Sequence, residues 1–165
     1  MSLPLKRKVE KVISGWLSTG SIAALANHNY YHGLRMAAKA APCIIIAVTS
    51  TEPSWETGNG EPTQTDGKVD VVLKTKCAAD TDNSSDTAEA AHYDAAEAIE
   101  TRLRNFSGLV AYANADNLTT RPVTSFYIAD LSAPAANFMY DEKAQCFVTV
   151  LTYGFTANPS DCADA

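Results

Sequence analysis

The chain has 165 residues, of which 46% are hydrophobic and 19% are charged, and it has a formal net charge of −6. This size and composition are typical of one soluble globular domain. The acidic balance argues against a phosphate-binding surface, since nucleic-acid binders usually present a basic patch. The chain shows no secretory signal pattern and no apolar run of about 18 residues that could cross a membrane.

The first predicted element is an amphipathic helix. Its apolar positions follow the spacing i, i+3, i+4, i+7, i+8, and they are Val9, Val12, Ile13, Trp16 and Leu17. Gly20 lies just beyond the predicted end of this helix. The basic cluster of Lys6, Arg7, Lys8 and Lys11, which Glu10 interrupts, predicts a solvated helix face.

The segment from Ser21 to Ala41 has no clear period. His28 and His32 stand four residues apart, a spacing that would place both on one face of a helix. A zinc site needs three or four ligands, however, and no further ligand lies near them. We therefore interpret both as surface or packed histidines, and we leave the role of the adjacent Tyr30 and Tyr31 open.

Two strands and a long polar segment follow. Residues 43–48 are apolar on both faces, which predicts a buried strand. Residues 69–77 alternate, with Val69, Val71 and Leu73 on one face and Asp70, Lys74 and Lys76 on a wet or contacting face. The simplest pairing is an antiparallel hairpin with Ser50 to Gly67 as its extended tip.

This tip is longer than a chain reversal needs, because hairpin turns take two to five residues. Trp55 is its only large apolar residue, and tryptophan is enriched at interface hot spots. We therefore predict that the tip makes a subunit or tube contact. The residues assigned to this assembly interface are Trp55, Glu56, Asn59, Glu61 and Thr63. A disordered loop with Trp55 folded back onto its own sheet is the alternative.

A second helix is predicted after Asp86, a candidate N-cap with Glu89 three residues on. Its apolar stripe consists of Ala88, Ala91, Ala95, Ile99 and Leu103. His92 is interpreted as a histidine on the surface of this helix, and Glu100 with Arg104 as an i, i+4 ion pair.

The last third predicts a short helical turn within 107–120 and strands at 123–131 and 146–156. The segment Ser132 to Lys143 would connect these strands, and residues 158–165 form a flexible tail. Residues 1–165 thus predict a single α+β domain. Its largely antiparallel sheet has about four strands and a long β-hairpin, with the helices packed on one face.

No pattern of catalytic, cofactor-binding or metal-binding residues is apparent, so we predict a protein that is not an enzyme. The four cysteines form no C-x-x-C pair, and we expect them to be reduced. Gly58-Asn59-Gly60 is a turn rather than a phosphate-binding loop, because the P-loop lysine and a following helix are missing.

In its order of parts the chain resembles the tail terminator (tail completion) proteins of long-tailed bacteriophages. The matching features are the N-terminal amphipathic helix, the strand PCIIIAV, the returning strand KVDVVLKTKC, the helix TAEAAHYDAAEAIETRL and the closing VTVLTYGF. The resemblance runs from about Val9 to Phe155. It rests on apolar positions, and the segments HNYYHG and Ser132 to Lys143 have no counterpart in it.

The resemblance implies a structural virion protein at the head-tail junction, assembled in the host cytoplasm. Such proteins form a ring, commonly a hexamer, on the tail tube protein, where they end tube growth and join the neck or connector protein. An acidic lumen would suit DNA passage without sequence-specific binding. The alternatives are another neck component, either head closure or connector, and more remotely a small ligand-binding α+β domain.

Overall fold

The computed structural model describes residues 5–34, 39–55, 62–77, 82–113 and 126–159. Within these ranges the helices are α1 (Leu5–Ser18), α2 (Asp82–Arg104) and α3 (Phe106–Ala113), with a 3-10 turn at Ala23–Leu25. The strands are β1 (Asn29–His32), β2 (Cys43–Trp55), β3 (Pro62–Lys76), β4 (Phe126–Leu131), β5 (Ala135–Asp141) and β6 (Cys146–Pro159).

The six strands form one open sheet in the order β1-β2-β3-β6. Along the far edge of β6, β5 pairs with its first half and β4 with its last residues, so that the two short strands follow each other end to end. Only the β1–β2 pair is parallel, and the other pairs are antiparallel. The predicted α+β class with a largely antiparallel sheet and a long hairpin is confirmed. The expected number of about four strands is two too low, because β1 and β5 were missed.

The helices cover one face of this sheet, as expected. The predicted α1 stripe is buried at Val9, Val12, Ile13 and Leu17, where it packs against alternate residues of β2, β3 and β6. A smaller cluster on the opposite face contains Cys43, Ile45, Val72, Cys146 and Val148. The face of β3 predicted to be wet is therefore partly covered, since Val72 and Lys74 are buried there. None of the helices in the described ranges is long and apolar enough to span a membrane.

The hairpin of β2 and β3 extends well past the hydrophobic core. Its ladder continues from Cys43↔Lys74 to Trp55↔Pro62, with register shifts between Val48 and Ser50 and between Ser54 and Trp55. Most of the segment predicted as a polar tip is thus strand, and residues 56–61 lie outside the described ranges. Periodicity failed there because both faces of this arm are polar, so no apolar alternation marks the strands.

Two corrections concern the helices. Glu10 was predicted on a solvated face, but it is fully buried; its Oε2 accepts a hydrogen bond from Arg7 Nη1 at 2.9 Å and its Oε1 one from the Val48 N–H at 3.3 Å. A carboxylate that accepts hydrogen bonds from a charged donor and a backbone N–H can be buried without leaving either oxygen unpaired. In addition, α2 begins at Asp82, four residues before the predicted cap at Asp86.

Three of the four cysteines lie in described ranges. Cys43 and Cys146 are buried, Cys77 is half-buried, and none of the three is in a disulfide bond. Burial raises the pKa of the Cys43 and Cys146 thiols, which favours their protonated form. Cys162 is outside the described ranges.

Gly67 is the point at which three strands pack most closely. A Cβ on Gly67 would lie 2.5 Å from the carbonyl oxygen of Ser50 and 2.5 Å from Cζ of the buried Phe155. Since a backbone oxygen cannot move independently, we expect Gly67→Ala to lower the free energy of unfolding by about 2 kcal/mol. Chemical denaturation should show this loss and leave the adjacent exposed variant Lys68→Ala within about 0.5 kcal/mol of wild type. Equal stabilities for both variants would contradict the packing described.

Candidate functional site

The most exposed apolar surface of the described chain lies on β5 and the neighbouring face of α2. All seven residues of β5 are exposed. Phe138 is 52% exposed and Met139 and Tyr140 are each 47% exposed, while Tyr93 of α2 is 46% exposed. We call these four residues the β5 patch. Clusters of exposed apolar side chains mark interaction surfaces more often than single ones do.

Aromatic contacts organise the helix side of this patch. The ring of Tyr93 meets that of Phe138 edge-on with the centroids 5.6 Å apart, and the ring of Tyr140 lies tilted by 55° against Phe147 of β6 with the centroids 5.4 Å apart. Tyr93 Oη also donates a hydrogen bond of 2.8 Å to Glu89 Oε1, a contact that raises the pKa of the tyrosine. The patch therefore has a fixed shape with a carboxylate at its rim.

His92 lies beneath the patch and corrects the prediction of a surface histidine. It is only 2% exposed, and its two ring nitrogens lie 2.7 Å from Thr75 Oγ1 and 2.6 Å from Thr149 Oγ1. Burial lowers its pKa to about 4, with a further lowering by His28 and an opposing effect of Glu89. A neutral imidazole that donates from one nitrogen and accepts at the other satisfies both threonines.

Two cavities of the described chain lie beside α2, one small and one widely open. The one between the β5 patch and His92 has a volume of about 210 Å³, below the roughly 300–1,000 Å³ of typical ligand pockets. A groove of about 530 Å³ runs along the outer side of α2, where Asp94 and Glu97 face solvent. Within the described ranges, no three histidine, cysteine, aspartate or glutamate side chains come together as a metal site would require.

His28 and His32 do not share a helical face; His28 is half-buried and His32 is exposed, in line with their interpretation as surface or packed histidines. His28 lies in the turn before β1 and His32 is the last residue of that strand. Burial lowers the pKa of His32, Glu10 opposes this effect, and Arg7 and Lys11 add to it. Two cationic side chains, those of Arg7 and Lys11, therefore lie near the end of β1.

At the edge of the sheet opposite β5, the part of β2 that extends beyond β1 is protected from pairing with another chain. Glu10 accepts the hydrogen bond of the Val48 N–H, and Pro53, further along β2, has no N–H to offer. Edge strands are commonly protected from pairing by proline, charge or a bulge. By comparison, β5 contains neither proline nor lysine within Ala135–Asp141, so it is the less protected edge.

A row of acidic residues crosses the helix-free face of the sheet in the outer half of the hairpin. The strand registers place Glu52 opposite Asp66, Asp66 opposite Thr156, and Thr156 opposite Asp130. Thr156 Oγ1 donates a hydrogen bond of 2.8 Å to Asp66, and the three carboxylate residues are exposed. Directly opposed like charges destabilise a sheet, so this row is costly for folding alone.

Of the five residues predicted as an assembly interface, only Trp55 and Thr63 lie in described strands, near the end of the β2–β3 ladder. Glu56, Asn59 and Glu61 are outside the described ranges. The prediction therefore remains a prediction. The β5 patch was not predicted, although the aromatic run NFMY followed by a turn was a usable signal for a hairpin.

No model of a known protein family matches this chain, and no curated protein matches it either.

Proposed function

We propose that this protein is a structural subunit of a bacteriophage tail that assembles into a ring, commonly a hexamer, and ends the tail tube as a tail terminator. The observation that carries the proposal is the open β5 edge with its exposed apolar side chains. An unprotected, apolar edge strand favours association with another chain, and a second copy is the usual partner in soluble assemblies. The described surface therefore fits an assembly protein better than a ligand-binding domain.

The acidic row supports the same function. Glu52, Asp66 and Asp130 lie on the face without helices, where three carboxylates at neighbouring register positions produce a negative surface. If this face borders the lumen of the ring, like charge repels the phosphate backbone and allows the genome to pass without sticking. This role provides a reason for keeping a row that weakens the sheet.

In this proposal the hairpin of β2 and β3 contacts the tail tube protein, and the rest of the ring offers a surface to the neck or connector protein. The strands remain paired up to Trp55↔Pro62, six register pairs past Val48↔Val69, where the core residues of these two strands end. Trp55, the one large apolar residue near its end, would supply the contact that stabilises capping.

Shortening the arm tests this function. Glu52 and Asp66 are directly opposite each other, so replacing Pro53 to Thr65 by Asn-Gly gives a two-residue hairpin in the original register, without a proline in the pair that flanks the turn. We expect the shortened chain to fold, since closing a shorter loop costs slightly less entropy, but to lose tail capping. Electron microscopy of tubes polymerised with the protein should show uncontrolled lengths.

Single substitutions refine this test. Trp55→Ala should weaken capping by about tenfold or more with little change in the melting temperature, which corresponds to about 1.4 kcal/mol of contact free energy. Thr51→Ala, an exposed change on the same strand and outside the acidic row, is the matched control and should cap normally. If the shortened chain and Trp55→Ala both limit tube length as wild type does, the arm has no capping role.

A further inference from the structure

We propose that the ring closes by a contact between the two open edges of the sheet, in which the β5 edge of one copy meets the β1 edge of the next. This inference rests on the proposed function, because it names the surface by which the subunits associate. It begins from the topology: β1 and β5 lie at opposite ends of one open sheet. Contacts between different surfaces of identical chains form rings when their rotation closes.

Charge distinguishes the two edges. Beside the β5 patch lie Glu89 on the helix side and the exposed Asp141 and Glu142 at the end of the strand, followed by the cation Lys143. Asp141, Glu142 and Lys143 together have a formal charge of −1, from two acids and one base. The β5 edge therefore presents a negative rim around an apolar centre.

The β1 edge has the opposite sign. Lys39 Nζ lies 4.6 Å from the ring centroid of Tyr31 on the helix-free side, and Arg7 approaches Gly33, just after the strand. Lys11 adds a third cation near His32. Glu10, the acid that acts on His32, is buried and paired with Arg7. Positive and negative edges on the same chain favour a second copy as the occupant.

Apolar contacts and strand direction are compatible with this arrangement. Leu34, which follows β1, is 59% exposed, and the half-buried rings of Tyr30 and Tyr31 lie in that strand. Within one sheet β1 runs parallel to β2, whereas β5 runs antiparallel to β6 and hence to β2. A ring axis roughly along the strands would therefore place β5 antiparallel to the β1 of the neighbouring copy.

A charge swap tests the contact. Glu142→Lys makes the β5 edge more positive and Lys39→Glu makes the β1 edge more negative, so each variant alone brings like charges together. We expect each to raise the apparent dissociation constant of the oligomer about tenfold in sedimentation or native mass spectrometry at low salt. An equimolar mixture should recover wild-type assembly, because alternating subunits restore opposite charges at every contact.

Two controls exclude a general effect of net charge and a loss of folding as the cause of weaker assembly. Lys143→Glu is the control for net charge. Like Lys39→Glu, it changes the formal net charge by −2, from −6 to −8, but it makes the β5 rim more negative. We expect it to assemble at least as well as wild type. Recovery in the mixture also shows that both variants are folded, since an unfolded chain could not complement the other.

Each alternative result has a distinct meaning. If Lys39→Glu assembles normally while Glu142→Lys does not, the β5 edge pairs with another β5 edge or a different surface, and the proposed contact is wrong. Failure of the mixture to recover overturns it as well. A wild-type chain that stays monomeric at about 100 μM also overturns the contact, whereas the tail-terminator function is decided separately by tube capping.

Discussion

Lowering the pH from 7 to 4 should decrease the free energy of unfolding by about 3 kcal/mol through His92 alone. The folded protein holds this imidazole between Thr75 and Thr149 with a pKa of about 4, while an unfolded chain has a histidine pKa near 6.5. Each pKa unit corresponds to about 1.36 kcal/mol. The difference of about 2.5 units therefore gives an effect of roughly this size.

The sign follows from which state binds the proton first. Above pH 7 both states are neutral at His92, so the group adds no pH dependence. As the pH falls through 6.5, the unfolded chain takes up a proton that the folded chain does not, and stability is lost until the folded imidazole protonates near pH 4. Acid destabilisation should therefore begin above the range in which carboxylates titrate.

His92→Gln is the matched variant, because an amide can donate to one threonine and accept from the other but does not titrate. It should be less stable than wild type at pH 7.5, and the difference between the two should shrink by about 3 kcal/mol on going to pH 4. Urea denaturation at several pH values measures both quantities. Parallel pH profiles for the two proteins would show that His92 is not held neutral by its surroundings.

The sequence analysis succeeded where burial leaves a periodic pattern. The α1 stripe from Val9 to Leu17 repeats with the helical period, and residues 43–48 are apolar throughout because helices cover one side of β2 and a second cluster covers the other. Both segments are buried as predicted. In such segments burial determines which positions are apolar, so the secondary structure and the buried face can be inferred from the spacing of the apolar residues.

Glu10 and His92 show where this reading fails. Each lies on the buried side of a helix among apolar residues, and His92 continues the buried series of Ala95, Ala96 and Ile99 at helical spacing. Polar side chains were assigned to the surface because burying them without a partner is costly. Their partners are Val48 for Glu10 and Thr75 and Thr149 for His92, which come from distant strands, and a local pattern contains no information about such contacts.

The strand β5 was missed for the opposite reason. All of its side chains are exposed, so the isolated chain has no buried face to impose alternation on Ala135–Asp141. Its aromatic residues nevertheless have high strand propensity. A strand whose composition suits burial and whose structure leaves it exposed fits the proposed contact with a second copy, and the exposure of this strand is evident only from the fold.

The largest loss of stability from a single truncation is expected for Trp16→Ala, at about 3 kcal/mol or more. Trp16 Nε1 donates a hydrogen bond of 3.0 Å to the Arg102 carbonyl oxygen, and Arg102 Nε donates one of 3.0 Å to the Trp16 carbonyl oxygen. The guanidinium carbon of Arg102 lies 3.3 Å from the ring centroid, and Tyr112 of α3 packs at 5.8 Å. One side chain thus joins all three helices, and truncating tryptophan in such a site typically costs 3–5 kcal/mol.

The charged residues of α2 are not paired as the sequence predicted. Glu100 and Arg104, both described in α2, form no ion pair, so the predicted i, i+4 pair is wrong, and Arg102 is held by Trp16 instead. We expect Trp16→Phe and Arg102→Lys each to cost about 1 kcal/mol, since both lose a hydrogen bond and weaken the cation–π contact. If the stacked pair acts as a unit, the double variant should lose less than the sum of the two. Additive losses in urea denaturation, or a Trp16→Ala variant within 1 kcal/mol of wild type, would show that the helices are held together by the core residues alone.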